Sequence, residues 1–108
     1  MQTDLPGTAT RTNARLAIAI PAYGRAPAIA RSIANMANQA RADGLDIVFY
    51  VSDDTPDSSV RDAIQPLLDA GLPVIYRQNI PALRHDRNLV ATLLWPVADY
   101  VWLLGSAY

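Results

Sequence analysis

Residues 47–59, with the sequence IVFYVSDDTPDSS, decide how the rest of the chain is interpreted. A nearly continuous apolar run rich in Val, Phe and Tyr is typical of a β-strand that is covered on both faces. Asp53 and Asp54 follow at the carboxyl end of this strand, where open parallel sheets bind their ligands. Ser58 is a good helix-capping residue, so the next helix should begin there. The stretch predicts a strand, an acidic rim and a helix start, which together form a binding edge.

Three other short apolar runs have the character of strands, and amphipathic segments separate them. These strands are predicted at residues 16–20, 72–76 and 100–104, and the helices run from Pro27 to Gly44, from Ser58 to Gly71 and from about residue 82 to residue 95. Alternating strands and helices with right-handed crossovers produce a parallel sheet with helices on both faces. We expect an α/β fold of the Rossmann-like type, an open sheet of about four strands in the order 3-2-1-4.

The sequence makes three more specific predictions about these elements. Pro66 lies inside the second predicted helix, where a proline removes a backbone hydrogen bond, so we expect a kink or a break near Gln65. The fourth strand, residues 100–104, should be buried because it is apolar throughout. The third helix should turn one apolar stripe inward. The residues of that stripe are expected to be Leu89, Val90, Leu93, Leu94 and Val97.

The composition is that of one folded domain. The chain has 108 residues, of which 51% are hydrophobic and 18% are charged, and this balance favours a packed core over disorder. Residues 1–15 are polar and lack the apolar segment of a secretory signal, so we expect a flexible tail followed by one α/β domain at residues 16–108. No apolar run approaches the ~20 residues of a membrane-spanning helix. The expected location is the cytoplasm.

Charge, cysteine content and missing motifs exclude several classes of function. The net charge is -1, although all nine basic residues are arginine, so nothing favours nucleic acid as a partner. There is no cysteine for a disulfide or a thiolate metal site, and the single His85 cannot form a zinc site unaided. The sequence has neither a glycine-rich phosphate loop nor a Gly-x-Ser-x-Gly motif. Readings as a hydride-transfer enzyme, an ATPase or a serine hydrolase therefore lose their main support.

The predicted strand order brings residues 21–25 and the acidic pair Asp53 and Asp54 to one crevice. The two carboxylates could accept hydrogen bonds from a ribose hydroxyl or a base N–H. The alternative is that they only shape the turn before the next helix, since Asp, Thr, Pro and Ser are common turn residues. Because two acids are adjacent after so apolar a strand, a ligand-binding role is favoured over a role in the turn.

Two residues of the first loop are further candidates. Tyr23 could stack on a planar base, because its ring has an apolar face and a polar tip. Arg25 could contact a phosphate. Simple surface positions for both side chains remain the alternative, since exposed Tyr and Arg are common.

A cluster of charged residues opens the third predicted helix. Arg84 and Arg87 are three residues apart and share a helical face with His85 nearby, which would suit a diphosphate. The alternative is a set of surface ion pairs around Asp86, each worth under ~1 kcal/mol. Arg87 is the stronger candidate of the two arginines, and His85 could equally be a surface or packing residue.

Four blocks of sequence, in order, resemble the family 2 glycosyltransferases, which have the GT-A fold. The blocks are LAIAIPAYGR (residues 16–25), VSDDTPD (residues 51–57), HDRN (residues 85–88) and DYVWLLG (residues 99–105). The resemblance covers nearly all of the chain after the tail, and four blocks in the same order are far more specific than any one of them.

The resemblance implies an inverting transferase that binds a nucleotide-diphosphate sugar, with this region as its donor-binding part. By this comparison Pro21 and Tyr23 line the base pocket, Asp53 and Asp54 contact the nucleoside, and Arg87 lies near the base or the phosphates. With Ala22 and Arg25 of the first loop and Arg84 of the third helix start, the expected nucleotide-sugar site has eight residues: Pro21, Ala22, Tyr23, Arg25, Asp53, Asp54, Arg84 and Arg87.

The family also places an acidic cluster after the fourth strand, where it holds Mg or Mn on the diphosphate. Residues 106–108, the corresponding positions, are Ser, Ala and Tyr. We therefore expect no metal ligands in this chain, an incomplete GT-A domain that lacks the acceptor-binding half and the catalytic base, and no transfer by this chain alone.

Two other interpretations stay open. One is a non-catalytic α/β domain that binds a nucleotide or a partner protein through the same rim, and the other is a truncated reading frame. An open sheet edge without a partner domain also predicts self-association through the uncovered surface.

Overall fold

The computed structural model describes residues 2–4 and 14–104. The elements in chain order are β1 (Gln2–Asp4), β2 (Ala14–Ala22), α1 (Ala26–Ala42), β3 (Ile47–Asp53), α2 (Ser59–Asp69), β4 (Val74–Asn79), α3 (His85–Leu94) and β5 (Ala98–Leu103). In the described part of the chain, no helix is both long enough and apolar enough to cross a membrane.

One five-stranded sheet runs through the molecule in the order β1-β4-β3-β2-β5. Strands β2, β3, β4 and β5 are parallel to one another, and they correspond to the predicted strands in the order 3-2-1-4. The predicted α/β class, the parallel sheet and the strand order are therefore confirmed. The third of these strands starts two residues later than predicted and continues to Asn79.

A short strand from the predicted N-terminal tail forms the outer edge of the sheet beside β4. Strand β1 pairs with it antiparallel, with Gln2 opposite Asn79 and Asp4 opposite Arg77. Residues 1 and 5–13 of that tail lie outside the described residues. The three residues of β1 are all polar and do not alternate with apolar residues, so nothing in the sequence predicted this strand.

The helices cover both faces of the sheet, as predicted. On one face α1 and α2 pack together over the main core, which includes Ile18 of β2, Phe49 of β3 and Tyr76 of β4. On the other face α3 contacts β2 and β3, and Tyr50 packs edge-on against Trp95 with ring centroids 5.0 Å apart. The carboxyl ends of the strands thus lie between two helical layers.

Helices α1 and α2 end at the predicted glycines. Gly44 and Gly71 have positive φ angles of 69° and 78°, a conformation that costs glycine little. Each glycine and the residue after it donate backbone hydrogen bonds to the last turn of the helix. One of these is the 2.8 Å bond from Leu45 N to Ala40 O. This is the Schellman arrangement, which satisfies carbonyls that the helix leaves free.

Helix α2 continues through Pro66 without the expected break. The carbonyl that loses its hydrogen bond belongs to Asp62, one turn earlier, because proline has no N–H. Both residues are exposed, so water can satisfy that carbonyl. Of the kink or break predicted near Gln65, the break is therefore wrong.

The prediction of which α3 residues face inward was also wrong. Val90, Leu94 and Val97 are exposed to 55%, 79% and 55%, and Leu93 is exposed as well, while Leu89 is half-buried. The residues buried in α3 are Asn88 and Thr92. They are four apart and share one helical face, and that face packs on polar strand ends rather than on an apolar surface.

Strand β5 is an exposed edge strand and not the buried strand that its sequence predicts. Tyr100 is 63% and Trp102 is 62% exposed. An apolar run signals that a strand needs covering, but it does not say whether the covering element is present.

Candidate functional site

The ends of β2, β3 and β4 meet at one edge of the sheet. Their register pairs Ala22 with Asp53 and Asp53 with Gln78. Ligands of open α/β sheets bind at such an edge. The loops that follow these three strands bring the candidate side chains together.

Asp53 points away from this edge into the core under α1 and α2. It has no exposed surface, and Tyr76 Oη donates to its Oδ2 at 2.5 Å while Thr55 N donates to its Oδ1 at 2.9 Å. Burial raises the pKa of Asp53, although these two hydrogen bonds oppose the rise. Burial and the contact with Asp53 also raise the pKa of Tyr76. The contacts of Asp53 are those of a structural carboxylate.

Asp54 is held on the opposite side, because successive residues of an extended chain alternate in direction. Its Oδ1 accepts hydrogen bonds from Asn79 Nδ2 and from Leu83 N, both at 2.9 Å. Its own N–H donates to Ala22 O at 2.8 Å. Asp54 thereby connects the segments that follow β2, β3 and β4.

An open cleft of about 670 Å³ lies over Asp54. Its lining residues come from the loop after β2, the end of β3 and the segment between β4 and α3, and they are Tyr23, Asp54, Pro81, Ala82, Arg84 and His85. A second opening of about 550 Å³ continues over the start of α3 and adds Arg87. The cleft therefore combines an aromatic ring, a carboxylate and cationic groups.

A buried polar network under the cleft holds Asp54 in place. Asn79 Nδ2 lies 2.9 Å from Asp54 Oδ1, 3.1 Å from Ser52 Oγ and 3.1 Å from Asn88 Oδ1. Asn88 also accepts from Ser52 Oγ at 2.6 Å and donates to Ser52 O at 2.9 Å. All four side chains are buried. Two strands and α3 are thus joined at the floor of the cleft.

The loop after β3 is fixed to its neighbours by Thr55 and Gln78. Thr55 Oγ1 accepts from Gly24 N at 2.7 Å, which ties it to the loop that carries Tyr23. Gln78 Nε2 donates to Thr55 O at 3.0 Å and to Asp57 O at 3.2 Å. These bonds set the position of the Tyr23 ring relative to Asp54.

Two arginines at this edge have unusual backbone conformations. Arg25 lies in the left-handed region at φ 58° and ψ 35°, and Arg84 has φ 72° and ψ 164°. The second conformation is essentially reserved for glycine, and each costs on the order of 1–3 kcal/mol in another residue. Both precede a helix, and neither makes a side-chain cap. Such strain is often found at functional sites.

The structure brings some of the eight predicted site residues together and separates others. Tyr23, Asp54 and Arg84 line the cleft, and Arg87 borders its continuation. The others lie elsewhere: Pro21, Ala22 and Asp53 are buried, and Arg25 is exposed at the start of α1.

Several residues that shape the site were not singled out from the sequence: Ser52, Tyr76, Gln78, Asn79 and Thr92, together with the networked role of Asn88. For two of them, the sequence pattern could have identified the residue. Gln78 and Asn79 are polar residues at the end of an apolar strand, the same pattern that identified Asp53 and Asp54.

A site for the Mg or Mn that the resemblance implies is not formed by the described residues. Across residues 2–4 and 14–104, no three His or Asp side chains are grouped closely enough to hold a metal ion. One carboxylate oxygen of Asp54, the acid of the cleft, already accepts two hydrogen bonds. Residues 106–108 lie outside the described part of the chain.

We expect Asp53→Asn to remove a pH-dependent part of the stability. The pKa of Asp53 is raised in the folded state, so its contribution to the free energy of unfolding is greatest below its usual pKa of 3.8 and is lost as the pH rises through the raised pKa. Urea unfolding from about pH 4 to about pH 8 measures this. The stability of the wild type relative to Asp53→Asn should fall across this range, and a constant or rising difference would contradict the assignment.

Comparison with known proteins adds one relationship. No family model matches the chain, and no solved structure matches it significantly. A curated relative is the abequosyltransferase RfbV of Salmonella typhimurium (strain LT2), which is 29% identical over 96 residues. The chain is distantly related to a glycosyltransferase. The match covers 84% of this chain, which spans only 27% of the length of RfbV.

Proposed function

We propose that this chain is the donor-binding part of an inverting glycosyltransferase of the family 2 type, and that its ligand is a nucleotide-diphosphate sugar. The observation that carries the proposal is the cleft in which Tyr23, Asp54 and Arg84 converge at the carboxyl edge of a parallel sheet. The relationship to a glycosyltransferase supports the same function.

Each wall of the cleft has a role in this proposal. The Tyr23 side chain is 54% exposed, so its ring is available to stack on a base. Asp54 accepts a hydrogen bond from the base or the ribose. The guanidinium groups of Arg84 and Arg87 bind the diphosphate, because a planar fork of N–H donors matches phosphate oxygens.

Transfer requires more than these contacts. Asp54 is 1% exposed and is held by Asn79 and Leu83, which suits a fixed acceptor of hydrogen bonds better than a base that takes a proton from an acceptor sugar. We infer that residues outside 14–104 supply the acceptor site and the catalytic base, and that this chain binds the donor without transferring the sugar.

The proposal is tested by thermal unfolding with UDP-, GDP- and dTDP-sugars, with and without Mn. A ligand that binds only the folded state raises the Tm, so at least one of these donors should do so. If none shifts the Tm of the folded protein, the proposal fails. Binding that needs no metal and is equally strong for the free nucleotide would favour the non-catalytic binding domain instead.

Asp54→Asn should weaken the binding of that donor by roughly tenfold to a hundredfold, because hydrogen bonds to a charged group are worth roughly 1.5–3 kcal/mol. Titration calorimetry measures the loss. Asp69→Asn is the matched control, since Asp69 is an exposed acid at the end of α2 and its removal changes the net charge equally. Equal affinities of Asp54→Asn and the wild type would contradict the role given to Asp54.

A further inference from the structure

Strand β5 has the side chains of a central strand but lies at the edge of the sheet. It is the last strand in the order and pairs with β2 on one side. Tyr100 and Trp102 share the face of Leu16 and Ile18, while Val101 is on the other face and is 38% exposed. Both faces of the strand are therefore apolar and accessible.

The hydrogen bond from Leu104 N to Ala19 O, 2.9 Å long, shows which backbone groups face outward. Backbone groups alternate in direction along a strand, so Trp102 and Tyr100 also direct their N–H and C=O groups toward β2. The N–H and C=O groups of Val101 and Leu103 then point away from the sheet. No strand among the described residues pairs with them, so they offer a template for another strand.

The outward edge of β5 is complementary to itself. In an antiparallel pair of two β5 strands centred on Val101, the two Val101 residues exchange both hydrogen bonds across a two-fold axis. Tyr100 of each copy then lies opposite Trp102 of the other, in the closer non-hydrogen-bonded type of pair. Cross-strand aromatic pairs of this kind stabilise antiparallel sheets.

The edge also lacks the features that keep strands apart. Residues 100–104 contain no charge and no proline, whereas exposed edges are usually protected by one or the other. The nearest charge on the strand, Asp99, lies at the end of the paired segment and faces Arg15 at 4.0 Å. Nothing in the central segment opposes a second copy.

We infer that two copies of this chain associate through β5, antiparallel and centred on Val101, to form one continuous sheet of ten strands. This inference is independent of the proposed function, because β5 contributes no residue to the cleft lining. A single strand pair buries little area, so the association is expected to depend on concentration.

Sedimentation of the wild type should show a monomer–dimer equilibrium. The protein concentrations run from about 1 µM to about 1 mM, which is the range of dissociation constants expected for small interfaces. Val101→Lys should raise the dimer Kd by at least about tenfold, because it places two like charges directly opposite each other. An equal mixture of Val101→Lys and Val101→Glu should restore the dimer, which only pairing of Val101 with Val101 predicts.

Leu94→Lys is the matched control. Leu94 is 79% exposed on α3, and its replacement should leave the dimer Kd unchanged if the edge of β5 is the contact. Circular dichroism of each variant confirms the fold. The inference would be overturned if the wild type stayed monomeric at every concentration. It would also be overturned if Leu94→Lys abolished the dimer while Val101→Lys retained it, or if the mixture of Val101→Lys and Val101→Glu formed no dimer.

Discussion

Replacing Asn88 by alanine is expected to lower the free energy of unfolding by about 3 kcal/mol, the largest loss among the variants considered. The Asn88 side chain is fully buried. It accepts from Ser52 Oγ and Asn79 Nδ2 and donates to Ser52 O. Its removal leaves these groups without that partner in a place that water does not reach, and each unsatisfied group costs on the order of 1–3 kcal/mol.

Urea unfolding measures this loss, and Asn35→Ala provides the control. Asn35 is an exposed residue in the middle of α1, so the same change should be neutral or slightly stabilising there, since alanine is the better helix former. A loss below about 1 kcal/mol for Asn88→Ala, similar to a surface change, would show that the network contributes little.

Replacing Arg84 by glycine is expected to have opposite effects on folding and on binding. Glycine adopts the φ and ψ angles of Arg84 without strain, and it is a tolerated N-cap residue. After the greater flexibility of glycine in the unfolded chain is subtracted, the variant should be more stable by about 1 kcal/mol. Donor affinity should fall by roughly tenfold to a hundredfold, because a charge-assisted contact with the diphosphate is lost.

Two variants separate the backbone effect from the charge effect. Arg87→Gly removes the same side chain inside α3, where glycine should destabilise by about 1 kcal/mol. Arg84→Ala removes the guanidinium but keeps the strained backbone, so its affinity should fall without a gain in stability. Thermal unfolding and calorimetry on the three proteins provide the comparison. If Arg84→Gly destabilised the protein or bound the donor as the wild type does, strain would not be retained at Arg84 for a ligand.

The helix ends were predictable from local chemistry, and the strand order was predictable because such elements allow few topologies. Residues 47–51 are apolar throughout, which is typical of a strand that is covered on both faces. Gly44 and Gly71 follow amphipathic segments, where a positive φ ends a helix. Right-handed crossovers then leave few arrangements of four parallel strands.

The candidate site was predictable in part. Asp53 and Asp54 were recognised as a pair, but alternation sends one into the core and the other to the cleft, and the partners that reveal this are distant in sequence. Tyr76 is 23 residues from Asp53, and Leu83 is 29 residues from Asp54. Their contacts depend on the packing of whole elements.

The errors at α3 and β5 have one physical origin. Apolar residues were assigned to buried faces, yet α3 turns Asn88 and Thr92 inward and leaves Leu94 exposed, and β5 exposes Trp102. Hydrophobicity indicates which surfaces are unfavourable in water. It does not indicate which element covers them.

The hydrogen bonds of Asp54 and Thr55 also bear on how a ligand is bound. Asp54 N holds the end of β2, Asp54 Oδ1 holds Leu83, and Thr55 Oγ1 holds the loop of Tyr23. These bonds fix the walls of the cleft without a ligand, so donor binding under the proposed function should cost little conformational entropy. Donor association should then be limited by diffusion and not by the ordering of a loop.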